Sequence, residues 1–213
     1  MKKIILTLFI ASWFTGAIAQ TKKAAPAKPV ESKPRAASTN EVAPAKDPKD
    51  MEKIRMEYIT PGEEHAKLAA AEGEWKEEIK TWMHPDAEPT SSVATCTIRM
   101  ILEGRYQESI HQGDFNGMPF HGQGITGYDN ALKKYVSTWI DNMGTGVIFS
   151  TGTFNAKLGG IEFFGEQADP VTGKLMKVRE VYTVKSDGEH FMEMYNTPAG
   201  GKEFKSMEIR MTR

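Results

Sequence analysis

The sequence predicts an all-β domain over Thr60 to Arg213: an antiparallel meander closed into a barrel of roughly ten strands, with a short N-terminal helix. Three observations predict it. From Trp75 onward apolar and polar residues alternate, the period of strands with one buried face. Turn chemistry recurs at short, regular spacing, at His84-Pro85-Asp86, Glu103-Gly104, Asn116-Gly117, Asp129-Asn130, Asn142 to Gly144, Asn155 to Gly160, Asp169 to Gly173, Asp187-Gly188 and Thr197 to Gly201. The connections are too short for crossover helices, so neighbours in sequence pair antiparallel. A meander of that length leaves two open edges unless it curls shut, which favours a barrel over the alternative two-sheet sandwich.

The segments before the domain have their own chemistry. Lys2 and Lys3, an apolar run from Ile4 to Phe14, and Ala17-Ile18-Ala19 before Gln20 have the build of a secretory signal peptide over residues 1–19. The expected product is exported, to the periplasm or beyond. The apolar run is about half the ~20 residues that cross a bilayer, and none of that length follows, so no membrane-spanning helix is expected. Residues 20–55 read as a disordered spacer: Gln20 to Asp50 hold seven Lys/Arg against four Asp/Glu, five of the eleven prolines and seven alanines. From Met51 on, eighteen Lys/Arg face twenty-four Asp/Glu, a balance that excludes a nucleic-acid surface. Residues 56–213 suffice for one core.

Within the domain, Thr60-Pro61-Gly62-Glu63 places a capping threonine, a proline at the first helical position and a glutamate three residues after the cap. The helix formers of HAKLAAAE continue it to Gly73. Cys96 is the only cysteine, so no internal disulfide forms. It sits in the alternating stretch TSSVATCTIRMIL as a small buried apolar residue; a catalytic-thiol reading needs a basic neighbour that the sequence does not place.

Gly73-Glu74-Trp75 after a short helix resembles the opening of the calycin barrels, the lipocalins and their relatives. The resemblance implies that a basic residue of the last strand, Arg210 in MEIRMTR, covers the tryptophan. The blocks RMILEGRY, GMPFHGQGITGYDN, KKYVSTWIDNM, DPVTGKLMKVREV, EMYNTPAGGKEFK and MEIRMTR further resemble the bacterial family catalogued as domain of unknown function 1579, over nearly the whole domain. That resemblance implies a barrel and imports no activity, substrate or catalytic residues.

Turn positions nominate residues that share a face. A two-residue turn at Asp187-Gly188 sets Tyr182 opposite Glu193 and Glu180 opposite Tyr195, on the more apolar face, so these four are expected inside. Two interior carboxylates are expensive unless paired or hydrogen-bonded. The Glu103-Gly104 turn sets Arg99 opposite Glu108, and the Asn116-Gly117 tip adds His121 and Gln123 to that face, with Tyr106. Inward, Arg99 would be a counter-ion for a carboxylate or an anionic ligand; outward, a surface pair of small weight. Trp139 shares a face with Tyr135, Ser137 and Asp141, a mixture suited to a pocket mouth. His111 and His121 fall on opposite faces, no spacing suggests a metal site, and the twelve methionines read as core filler.

The leading expectation is a barrel that binds a small amphipathic or apolar molecule through Arg99, Tyr106, Glu108, His121, Trp139, Glu180, Tyr182, Glu193 and Tyr195, without a cofactor. Two alternatives stand beside it. One is an enzyme using Glu180 and Glu193 as an acid/base pair; the other is a filled envelope module whose rim or Lys/Ala/Pro spacer meets a partner. No nucleophile or leaving-group site is legible.

Overall fold

Pro61 restricts the residue before it to extended backbone, and this sets the helical prelude. In the computed structural model, which describes residues 47–115 and 117–213, Thr60 is extended (φ −93°, ψ 123°) and ends a helix instead of opening one. Its hydroxyl donates to the Met56 carbonyl at 2.6 Å. That helix, α1 (Pro48–Ile59), takes in Pro48 to Arg55 of the expected spacer. It buries no residue; an Asp47 cap accepting from Lys49 N–H at 2.8 Å and a proline in the first turn start it, and the Asn130 amide donates to the Glu57, Tyr58 and Thr60 carbonyls at its end. The expected signal segment and residues 20–46 lie outside the described residues.

The second helix, α2 (Glu63–Ala69), begins at Gly62, whose N–H donates to His65 Nδ1 at 3.0 Å. The imidazole therefore satisfies the end that Thr60 was expected to cap. No described helix is long and apolar enough to cross a membrane.

Ten strands follow: β1 (Gly73–Thr81), β2 (Thr90–Ile101), β3 (Tyr106–Phe115), β4 (Met118–Asp129), β5 (Lys134–Asp141), β6 (Ile148–Asn155), β7 (Gly160–Ala168), β8 (Leu175–Ser186), β9 (Glu189–Thr197) and β10 (Phe204–Thr212). Each pairs antiparallel with the next, and β10 pairs with β1 to close the barrel. The expected meander is thus a complete ring without an open edge.

The β2–β3 register is the expected one, with Arg99 opposite Glu108 and Ile101 opposite Tyr106. Leu102, Glu103 and Gly104 all take left-handed φ (50°, 54° and 80°) within the four-residue connection. The β8–β9 register is not the expected one. The turn does lie between Ser186 and Glu189, but Val184 then pairs with His190, leaving Lys185 as an extra residue. One bulged residue moves every later side chain to the other face of the wall. Tyr182 consequently faces Met192 and Glu180 faces Met194, while Glu193 and Tyr195 pass to the outside.

Two buried clusters pack in the half of the barrel nearest α2. Trp75, Cys96, Ile98, Ile209 and Met211 form the first with Ala71; Leu68 of α2 joins Tyr135 and Phe163 in the second. The helix is tied to the rim where Gln107 Nε2 donates to the Leu68 carbonyl at 2.7 Å and the Tyr135 hydroxyl donates to Glu64. The cation over Trp75 is Arg213, not Arg210. Its guanidinium carbon stands 4.5 Å from the indole centroid, and Nη1 donates to the Glu72 carbonyl at 2.7 Å. Arg210 alternates to the outer face, where it holds Glu189 at 2.7 Å and Glu78 at 3.3 Å.

Candidate functional site in the barrel lumen

Inward side chains leave a cavity of about 600 Å³, within the range of small-molecule sites. Its exposed lining residues, among them Lys67, Ala70, Phe154, Gly159, Val184 and Asp187, all belong to the α2 end, so the mouth opens beside that helix. Most of the wall is apolar, including Ile98, Ile161, Phe163, Met192 and Ile209. Two sets of buried polar groups stand out in it.

The first is Glu180 with Tyr182 and His190. Glu180 lines the cavity from β8, and burial alone lifts its carboxyl to a pKa of about 7. Among the described residues no hydrogen-bond partner reaches it. At neutral pH it is therefore divided between a neutral acid, able to donate, and a carboxylate able only to accept. The Tyr182 hydroxyl and His190 Nδ1 share a hydrogen bond of 2.6 Å, and the imidazole lies against Trp75 with centroids 4.3 Å apart. Burial, then the Arg213 charge, holds His190 below the usual histidine range, so it is neutral at pH 7.

The second set joins three strands. Glu77 of β1 is 2% exposed and Cys96 of β2 is 0% exposed, with His111 of β3 beside them. Cys96 pairs across the ladder with His111, while Glu77 lies in the neighbouring row with Ala94 and Gly113. Those two small residues leave room for the carboxylate to reach across to the imidazole: His111 Nδ1 lies 3.1 Å from both Glu77 oxygens. Nε2 lies 3.6 Å from the Cys96 sulfur. An ionised Glu77 can only accept, so it places the proton on Nδ1 and turns the Nε2 lone pair towards sulfur. The thiol itself is pushed well above its ordinary range, chiefly by burial and then by the Glu77 charge. Trp139 closes the far side of the ring, edge-on at 5.0 Å.

Trp139 owes its position to glycine. A Cβ on Gly122 would fall 2.5 Å from the indole, so only glycine lets the ring lie against β4 there. Its Nε1 donates to Asp141 at 2.7 Å.

Of the nine residues nominated from sequence, Trp139, Glu180 and Tyr182 line the cavity. The other six lie on the outer face. Arg99 and Glu108 form an ion pair joined by Gln123, whose amide donates to Glu108 at 2.7 Å, so the expected patch exists but faces away from the lumen. Tyr106 and His121 alternate outward with them, and His111 faces inward. Glu193 pairs with Lys205, and Tyr195 lies under the Arg179 guanidinium at 4.0 Å. The Glu180/Glu193 acid/base pair is accordingly not formed: the Lys185 bulge puts the two carboxylates on opposite sides of the wall.

Sequence reasoning missed Glu77 and the partnership of His111 with Cys96. The basic neighbour absent around Cys96 in the chain is supplied by the next strand, and Glu77 sits among Lys76, Glu78 and Lys80, where alternation is its only mark of burial.

Fold and site together define a closed ten-stranded antiparallel barrel with a helix at one mouth and a mixed apolar and polar lumen. Residues 60–213 match the family described as Protein of unknown function (DUF1579), and the chain belongs to that family. No curated protein matches the chain.

Proposed function

We propose that the barrel binds a small amphipathic molecule in its lumen, the apolar body against Ile98, Phe163 and Met192 and a polar group at Glu180. The observation that carries this reading is a carboxyl without a hydrogen-bond partner among the described residues, lining a cavity of about 600 Å³. An unpartnered buried acid costs stability, and a ligand donor or acceptor offsets that cost. Trp139, Tyr182 and the mouth beside α2 give such a molecule an aromatic wall and a way in. The composition of residues 1–19 supports a place of action outside the cytoplasm.

Native mass spectrometry of the purified protein, followed by titration with a fluorescent anthroyloxy fatty acid, tests the reading. Saturable binding at one site per barrel, lost when Ile98→Trp fills the lumen, is the expected result. A barrel that carries no small molecule and leaves the probe free overturns it.

A further inference from the structure

The Glu77, His111 and Cys96 side chains have the form of a metal site. Their donor atoms, one oxygen, one nitrogen and one sulfur, lie within 4.8 Å of one another, and all three residues line the lumen. The 3.6 Å between His111 Nε2 and Cys96 Sγ is the span two ligands of one tetrahedral ion keep: bonds of about 2.3 Å to sulfur and about 2.0 Å to nitrogen put them about 3.5 Å apart. Glu77 on Nδ1 supplies the carboxylate that orients metal-binding histidines and fixes the free lone pair on the other nitrogen.

We propose that this cluster binds one borderline transition-metal ion of the zinc type, held between Cys96 thiolate and His111 Nε2, with the remaining coordination positions open to the cavity. The donor set selects the metal class, since thiolate and imidazole disfavour magnesium and calcium. Charge points the same way. Glu77 is buried, and among the described residues its only hydrogen-bonding side chain is the His111 imidazole. A divalent ion bound to a thiolate would place a net positive charge beside that carboxylate.

A covalent thiol mechanism fits less well. Cys96 has no exposed surface for a substrate carbon to approach, whereas a metal ion needs only the short gap between sulfur and His111 Nε2. Nothing in the sequence announces the site, because its residues are spread over three strands at positions 77, 96 and 111 and are brought together only by register.

The test uses metal alone, so its outcome is independent of any organic ligand. The full chain is loaded with Zn(II), passed through a desalting column and analysed for bound metal; Co(II) is then loaded in its place. One equivalent of zinc, a chelator-reversible rise in Tm, and a thiolate-to-cobalt charge-transfer band in the near ultraviolet are expected. Cys96→Ala abolishes the band, and His111→Gln and Glu77→Gln each weaken binding by about tenfold or more. Absence of the cobalt band in the parent chain overturns the proposal, as does zinc retention undiminished in His111→Gln. If Cys96→Ala does not fold, the band in the parent and its loss in His111→Gln decide the matter.

Discussion

The Arg213 guanidinium lies over the Trp75 indole, 4.5 Å from its centroid, while the indole Nε1 donates to the Ala71 carbonyl at 2.9 Å. One cation thus covers the core tryptophan on one side and reaches the Ala70 and Glu72 carbonyls at the end of α2 on the other. The tryptophan, the helix and the last strand are held as a single cap.

Arg213→Ala should accordingly lower stability by about 1–2 kcal/mol in urea unfolding, the sum expected of a cation–π contact and lost carbonyl partners. Arg210→Ala, which breaks only exposed pairs on the outer face, should change it much less. Equal effects would mean that Arg213 does not act as the cap.

Glu180 gives a pH dependence of definite sign. Its folded pKa of about 7 lies above the 4.5 of an exposed glutamate, so between those values the folded protein binds the extra proton. Stability should therefore fall as pH rises from about 4.5 to about 7, by on the order of 3 kcal/mol, and level off above. Glu180→Gln should flatten that segment of the profile in denaturant titrations across pH; an unchanged profile would place the titration elsewhere.

The bulge at Lys185 fixes which residues of β9 see solvent. In Glu193→Cys the new thiol should react promptly with a water-soluble thiol reagent, and in Met194→Cys much more slowly. Wild-type Cys96, without exposed surface, supplies the unreactive background until the chain unfolds. The reverse order of rates would restore the unbulged register.

Gly122→Ala should displace Trp139, since the added carbon falls within 2.6 Å of two indole atoms and 3.1 Å of Phe120. A loss of about 1–3 kcal/mol, the usual range for overpacking, should accompany a shift in tryptophan emission. An unshifted spectrum with unchanged stability would show that the indole has room to spare.

What could be read in the sequence depended on how local its cause was. Ten strands and their antiparallel order follow from turn residues and alternation, and Arg99 fell opposite Glu108 because the Glu103-Gly104 turn centres that hairpin. Glu193 and Tyr195 were misplaced because a bulge has no side-chain signature at Lys185, and one residue reverses a face. Arg213 was passed over because the strand period ends at the residues that wrap the rim. α1 is not legible in the Lys/Ala/Pro-rich stretch that precedes it, because it buries no residue and is marked only by a cap and a first-turn proline. Glu77, Cys96 and His111 could be found only by laying three strands side by side.

Nine of the ten strand pairings join neighbours in sequence, and the β1–β10 seam alone joins distant ones. The Glu78–Arg210 contact across that seam spans 132 residues. Hairpins can form independently and early, whereas the loop entropy of the whole ring falls on one late zipper. Contact order therefore predicts that the seam forms last on refolding and parts first. Hydrogen exchange should show β1 and β10 opening ahead of the β3–β4 hairpin.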